Sequence, residues 1–520
     1  MVSPQYTGWR ALPQRAGTGA GDSAGQYTGY VAEFHVEHFG CRAARADGEA
    51  VSNHLRAAGL GDGDAAAAEV VVVNTCSVTA EADRAARAFI RRTHRRNPKA
   101  QIVVTGCYAQ RAPEELATMA GVAAVVGNSH KALAPEIVLE LAGANARSGL
   151  TASELVTLRP SSASAEGAVP IWADDAFAHS FIEEPQLVPG TQTRPNLKIQ
   201  EGCGNRCTFC VIPQTRGGSR SLSATAIMRQ VIGFVEAGGI ELVLSGINLG
   251  RWGRDLPSAD DGPRTLAALV RRIVESSGLP RLRLSSIEPM DWDAELIALM
   301  AELGGPGIPP RDARAGRLAR HAHLPLQSGS DAVLRRMHRR YRPWHYVEKV
   351  EALFKAAGPD LTLGADVMVG FPGETDAEFE ETLEFVRALP FGYLHLFPFS
   401  PRPGTKGWTL YEEQPVEAQA TEERMSALRK LADEKSREHR TQFVGRELEC
   451  ISLHTPDGLA AQNRTSALTD NFIPLEIEGR FAANQLLIAR VAGMKDDCTL
   501  LADAAETAEF ERVFADTASK

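Results

Sequence analysis

The sequence predicts an α/β chain in three parts: an N-terminal doubly wound parallel α/β domain, a central partial (βα)6 barrel of parallel strands, and a small C-terminal OB-like β-barrel. Three observations carry this reading. Nearly all-apolar strands alternate with amphipathic segments over residues 31–145, the pattern of a parallel sheet covered by helices on both faces. Six strand–helix units follow over residues 195–410. Short β-rich segments then fill about residues 441–505, a size and pattern that suit a small closed barrel.

Each part is justified in order. Residues 1–29 are rich in Gly, Ala, Ser and Gln and read as a disordered extension. Within 30–145, Val31–Phe39, Val70–Asn74, Gln101–Thr105 and Val122–Val126 read as strands, with a helix over Glu81–Arg96. Residues 146–188 are assigned to a linker, on the Pro, Ser, Ala and acidic composition that runs through 160–193. The barrel is placed at 189–420. Its strands are Asn196–Gln200, Glu241–Ser245, Arg281–Ser285, His321–Pro325, Thr362–Val369 and Tyr393–Phe399. One helix runs over Ser223–Ala237, capped by its Ser and stopped by Gly238-Gly239; another, Asp376–Ala388, follows a turn at Gly373-Glu374-Thr375. Gly304–Arg314 reads as a Gly/Pro-rich loop. A charged helix over 415–440 carries Met425, Leu428 and Leu431 at helical spacing, and its part at 421–440 connects to the last module, 441–506. That module's strands include Glu447–Leu453, Phe472–Ile477 and Gln485–Val491, and the tail 507–520 carries no functional signal.

Composition bounds the function. The net charge of −9 does not suggest a nucleic-acid partner, so local patches would have to supply one. Eight cysteines in 520 residues are too few for a disulfide scaffold, and their clustering favours metal in a reducing, cytoplasmic compartment. No apolar run is long enough for a membrane span, and the N-terminus lacks a signal-peptide core.

The most specific pattern is Cys203-Gly204-Asn205-Arg206-Cys207-Thr208-Phe209-Cys210. Three thiolates on one loop match an iron–sulfur cubane that leaves one iron open to a small molecule. A structural zinc site would want a fourth ligand, and none follows at a suitable spacing; free core thiols are the bland alternative. The loop follows the first barrel strand, at the end where parallel barrels form their active sites. Cys41, Cys76 and Cys107 give a second signal, because each lies just beyond a strand end in the N-terminal domain. In a parallel sheet those ends share one edge, where ligand sites form. Three buried structural cysteines remain the alternative, weakened by their position on turns.

Two arginine groups stand out in this acidic chain: Arg84, Arg87, Arg91, Arg92, Arg95, Arg96 and Lys99 on or after one helix, and Arg335, Arg336, Arg339, Arg340 and Arg342 beside Tyr341 and Trp344. Such runs are often solvated faces. They also fit phosphate contacts, and single-stranded loops are the usual specific RNA target. Arg91, Arg92, Arg95, Arg96, Arg339 and Arg340 are the candidate RNA contacts. His323 and His395 fall on predicted strands and read as core or wall residues rather than ligands.

The Cys203 loop resembles that of the radical S-adenosylmethionine (SAM) superfamily. Asn74-Thr75-Cys76-Ser77-Val78-Thr79, Gly106-Cys107-Tyr108-Ala109-Gln110, His323-Leu324-Pro325-Leu326-Gln327-Ser328-Gly329-Ser330, Gly370-Phe371-Pro372-Gly373-Glu374-Thr375 and Phe399-Ser400-Pro401-Arg402-Pro403-Gly404-Thr405 resemble the methylthiotransferases within it. The resemblance implies two 4Fe–4S clusters, a radical-generating one on Cys203, Cys207 and Cys210 and an auxiliary one on Cys41, Cys76 and Cys107, with a TRAM domain at the C-terminus. It further implies SAM contacts at Gly246, Asn248, Ser286, Glu288, Gln327, Ser328 and Gly370, with one SAM giving the methyl group and a second the radical. A reducing electron donor and a sulfur source are the implied partners. Three branches act on isopentenyladenosine in tRNA, on threonylcarbamoyladenosine in tRNA, or on a ribosomal-protein aspartate. Thr75–Thr79, Met337-His338-Arg339-Arg340-Tyr341-Arg342-Pro343-Trp344 and Thr469-Asp470-Asn471-Phe472-Ile473 resemble the threonylcarbamoyladenosine branch. The expected activity is therefore methylthiolation of carbon 2 of N6-threonylcarbamoyladenosine in the tRNA anticodon loop. The other two targets, and a non-catalytic RNA-binding iron–sulfur protein, are the alternatives. Carboxylates outnumber Lys and Arg in the C-terminal module, so the other domains are expected to carry the RNA contacts.

Overall fold

A computed structural model describes residues 32–143, 168–177, 187, 194–257, 262–304 and 317–507. The expected extension at 1–29, most of the expected linker, nearly all of the loop after Gly304 and all but the first residue of the tail lie outside these residues.

The N-terminal sheet is built from β1 (Glu33–His38), β2 (Val70–Thr75), β3 (Gln101–Gly106) and β4 (Val122–Gly127), all parallel. Two-residue strands extend both edges, Gly61–Asp62 beside β1 and Ile171–Trp172 beside β4. The latter pair falls within the segment that sequence reading gave wholly to a linker. α1 (Arg42–Ala57) and α2 (Ala80–Arg96) cover the sheet. Thr79 caps α2 by accepting from the Ala82 N–H, and Glu81 and Asp83 in its first turn suit the helix dipole. Register brings the strand ends level: His38 pairs with Asn74, and Asn74 with Thr105.

Six parallel strands follow in chain order: β5 (Asn196–Glu201), β6 (Glu241–Gly246), β7 (Arg281–Leu284), β8 (His321–His323), β9 (Thr362–Val369) and β10 (Phe391–Pro398). Between β7 and β8 the ladder thins to isolated bonds such as Ile287 N–H to the His323 carbonyl at 3.0 Å. Period-two alternation explains these strands. On β9, Leu363, Ala365, Val367 and Val369 join the apolar core under the helices, while Asp366 and Met368 face a cavity inside the barrel. Leu282 and Leu284 of β7 point outward in the same way, and Arg281 and Arg283 lie inside, both paired to Glu241.

A long helix, α3 (Ala418–Thr441), covers the barrel's last strand and leads to a closed five-stranded barrel. Its strands are β11 (Glu447–Ser452), β12 (Arg464–Thr469), β13 (Pro474–Glu478), β14 (Leu486–Met494) and β15 (Leu500–Thr507). This barrel docks at the N-terminal ends of the parallel strands. Arg320, just before β8, pairs with Asp470 at 2.6 Å; Asn471 donates to the Asp360 carbonyl before β9 at 3.0 Å. Phe472 packs against His321 with ring centroids 4.5 Å apart, with the Arg42 and Arg283 guanidiniums over its ring at 5.5 and 5.3 Å. The opposite end of the parallel barrel carries the functional loops.

Candidate functional site

The Cys203–Cys210 loop leaves β5 through Gly202, whose φ is +69° and whose missing side chain lets the Gly217 and Gly218 backbone approach. The loop is tied at both ends: Cys203 N–H donates to the Gly217 carbonyl at 3.0 Å, and Thr208 N–H to the Met337 carbonyl at 3.1 Å. Donors converge on its sulfurs. Asn205 N–H and Asn248 Nδ2 lie 3.4 and 3.5 Å from Cys203 Sγ, and Arg339 Nη1 lies 3.3 Å from Cys207 Sγ. Burial pushes the Cys210 thiol up to about 12 and raises that of Cys203, so these sulfurs need cationic company to ionise.

The second triad emerges from the level strand ends. Gly40, at φ +106°, turns the chain so that Cys41 caps α1; a side chain there would overlap Cys76. Cys107 opens a short helix just after Gly106, at φ +99°. A hydrogen bond from Cys76 lowers the Cys41 thiol to about 6, and the same bond raises Cys76. Cys107 Sγ accepts from Asn128 Nδ2 at 3.3 Å and Arg216 Nε at 3.2 Å. The fully buried Arg216 also bonds Asp47 at 3.0 Å and Glu201 at 2.7 Å. Lys131 reaches the same two carboxylates at 3.1 and 2.6 Å, and Lys198 bonds both as well. Asp47 belongs to α1, Glu201 to β5, and Arg216 to the turn just after Cys210, so one buried network locks the two domains together behind the thiols.

A cavity of about 580 Å³ joins the two triads, with Cys41 on one wall and Cys210 on another. That volume is in the range of small-molecule sites. Of the expected SAM contacts, Gly246, Ser286, Glu288 and Gln327 line it. The other three stand behind the wall. Asn248 turns its amide to Cys203; Ser328 is fully buried, bonded to Thr382 Oγ1 at 2.9 Å; Gly370, at φ +72°, donates to Glu374 at 2.8 Å and shapes a turn. His323 and His395 are both wall residues beside Asp366: His395 Nδ1 hydrogen-bonds its Oδ1 at 3.2 Å, and His323 Nε2 lies 3.3 Å from the same oxygen.

The arginine candidates separate. Arg91, Arg92, Arg95 and Arg96 are exposed on the C-terminal half of α2. Arg339 corrects the sequence reading: it is 7% exposed, paired with Glu288 at 2.6 Å, and turned to Cys207 rather than to any RNA surface. Arg340 is exposed, with a guanidinium nitrogen 3.3 Å from Asp291. Sequence reasoning missed Arg216, Asp47, Lys131, Lys198, Arg42 and Asp366 as site residues. Only three of them carried an advance signal: Lys198 and Asp366 as charges within strands, and Arg42 as the neighbour of Cys41.

The donor sets fit iron–sulfur clusters. Each triad receives N–H groups and one buried guanidinium, which suits anionic sulfur. Among the described residues, neither triad brings its three sulfurs within 4.8 Å of one another, the compactness a single tetrahedral ion would need. Gln327 Oε1 and Asn248 Oδ1 are buried without a hydrogen-bond partner among the described residues, as expected of walls shaped for a polar ligand.

A family model described as the radical SAM superfamily matches residues 197–386, and one described as uncharacterized protein family UPF0004 matches 33–127. The chain is 33% identical over 447 residues to the threonylcarbamoyladenosine tRNA methylthiotransferase of Bacillus subtilis (strain 168), covering 86% of this chain and 90% of that one. The chain belongs to the radical SAM methylthiotransferase family. This methylthiotransferase is also 34% identical over 413 residues to the threonylcarbamoyladenosine tRNA methylthiotransferase of Aquifex aeolicus (strain VF5), covering 79% and 88%. It is 33% identical over 422 residues to a tRNA-2-methylthio-N(6)-dimethylallyladenosine synthase of Parafrankia sp. (strain EAN1pec), covering 80% and 77%. Membership brings an iron–sulfur cluster and SAM as cofactors. Among the described residues, no helix is long and apolar enough to cross a membrane.

Proposed function

We propose that this methylthiotransferase acts on tRNA, placing a methylthio group on carbon 2 of N6-threonylcarbamoyladenosine beside the anticodon. The observation that carries the reading is the single cavity lined by both Cys41 and Cys210, in a chain whose full-length relatives bear that activity in their names. Cys203, Cys207 and Cys210 would hold a 4Fe–4S cluster that, with SAM, would supply radical chemistry, and Cys41, Cys76 and Cys107 would hold one that would supply sulfur. The protein's part is orientation, charge and exclusion of water. Arg339 steadies the Cys207 thiolate while Glu288 balances its charge. Arg216 does the same for Cys107, balanced by Asp47 and Glu201. Phe209, Phe397 and Phe399 line the cavity and keep a reactive carbon radical away from water. Polar atoms of Gly246, Ser286 and Gln327 orient the cofactor. The exposed arginines of α2 hold the RNA backbone. A reduced electron donor and a sulfur source complete the cycle in the cytoplasm.

Relatives of the dimethylallyladenosine branch share as much identity, so the test must separate the two nucleosides. Mass spectrometry of tRNA nucleosides from a deletion strain does so. Methylthio-threonylcarbamoyladenosine disappears and returns on complementation, while methylthio-isopentenyladenosine is unchanged. The reverse pattern, or no change in a strain without a second such enzyme, refutes the assignment.

A further inference from the structure

The wall of the shared cavity contains a cation that no carboxylate pairs with among the described residues. Arg42 follows Cys41 at the first position of α1 and lines the cavity. Among the described residues its guanidinium has no ion pair and no hydrogen bond; it lies over the face of Phe472, 5.5 Å from the ring centre. The helix dipole is no help, because the N-terminal end of a helix disfavours a cation. The first-turn N–H groups of Ala43 and Ala44 already serve Cys41. Asp366 also lines the wall, yet its Oδ1 faces His323 and His395 at 3.3 and 3.2 Å. A half-buried arginine left unpaired is costly, and the pairing that suits it is a planar carboxylate taken by two parallel N–H bonds.

We propose that Arg42 determines substrate specificity by binding the carboxylate of the substituent on the target adenine. This rests on the tRNA reading above and deepens it. The threonylcarbamoyl group ends in a carboxylate and carries a hydroxyl; a dimethylallyl group has neither. Asp366 and His395, lining the same cavity, are placed to meet the hydroxyl. An apolar substituent would bury the Arg42 charge against hydrocarbon with nothing to neutralise it, so the residue rejects one nucleoside as well as selecting the other. Arg42 is thus a binding residue that touches the substituent, away from the carbon that reacts.

The test uses anaerobically reconstituted full-length protein and two anticodon stem–loop RNAs. One carries threonylcarbamoyladenosine, and the other the same urea with the carboxylate replaced by hydrogen. Wild-type protein favours the first by about 100-fold in kcat/KM, and its affinity for it, read by fluorescence anisotropy, is tighter by about the same factor. Arg42→Ala reduces both preferences to within about threefold, and Arg42→Lys restores part of them, since it returns the charge without the fork. Iron content is measured alongside, and if Arg42→Ala fails to hold its metal, the wild-type comparison of the two RNAs still decides. Equal use of both RNAs by wild-type protein overturns the inference and leaves the tRNA activity standing. Turnover of neither, with turnover of a dimethylallyladenosine RNA, overturns the activity and the inference with it.

Discussion

Replacing Arg216 by Met keeps the length of the side chain and removes its charge. In the native network three cations (Arg216, Lys131 and Lys198) face two carboxylates, Asp47 and Glu201. The surplus positive charge sits on the guanidinium whose Nε donates to Cys107. The network therefore reaches neutrality when Cys107 is a thiolate. In Arg216→Met the two lysines balance the two carboxylates, and the thiolate loses the one cation in direct contact with it among the described residues. Breaking a buried, hydrogen-bonded charge pair costs about 3–5 kcal/mol. The lysines remain on both carboxylates, so the low end, about 3 kcal/mol, applies here. That corresponds to a fall in melting midpoint of roughly 6–12 °C for a unit of about 200 residues. Anaerobic thermal unfolding and iron quantitation read the two consequences. Iron falls from about eight to about four per chain as the Cys107 site empties, while the Cys203 site keeps its four. SAM cleavage to 5′-deoxyadenosine persists and methylthio transfer is lost. A variant with full iron and an unchanged midpoint would refute the charge argument. A variant that lost all its iron would refute the assignment of Arg216 to one triad.

Three further outcomes follow from the geometry. Gly40→Ala forces a side chain into a position with φ of +106° and against Cys76, so it strips iron from the second triad while the Cys203 triad stays loaded, as iron analysis would show. Changing Arg91, Arg92, Arg95 and Arg96 together to Ala weakens tRNA binding and lowers the slope of log affinity against log salt by roughly 3, measured by filter binding across a salt series; an unchanged slope would place the RNA elsewhere. Phe472→Ala removes the ring between the Arg42 and Arg283 guanidiniums and loosens the C-terminal barrel from its seat, lowering stability by about 3 kcal/mol and raising protease sensitivity near residue 441.

Much of the fold was legible because its strands are extreme in pattern. Val70–Thr75 is apolar to its last two residues, and Thr362–Val369 alternates cleanly between core and cavity. The helix α1 was not legible. Its buried face is mostly alanine, interrupted by Asp47 and Gly48, so its period is carried by the charged outer face and by few large apolar residues. Gly48 is required there, because a side chain would meet His38 and Asn74. The same weakness hid β12 and β15, whose inward residues include Thr465, Ala467 and Ala502. In the site, the first triad is a local motif. The second is visible only by aligning strand ends, which the register of β1, β2 and β3 makes level. The charge network could not be read in advance, since Asp47, Lys131, Glu201 and Arg216 meet only through the packing of two domains. Arg339 was misplaced for a related reason: a run of arginines looks uniform in sequence, and only the fold turns one of them inward to Cys207.

The central claim is that two separate cysteine triads each hold a cluster and face one cavity. Iron and sulfide quantitation on anaerobically reconstituted wild-type protein and on the Cys41→Ala, Cys76→Ala, Cys107→Ala triple variant tests it most directly, with SAM cleavage measured in the same samples. The account predicts about eight irons in the wild type and about four in the variant, which still forms 5′-deoxyadenosine but no methylthiolated nucleoside. About four irons in both, or a variant that still transfers the methylthio group, would contradict it.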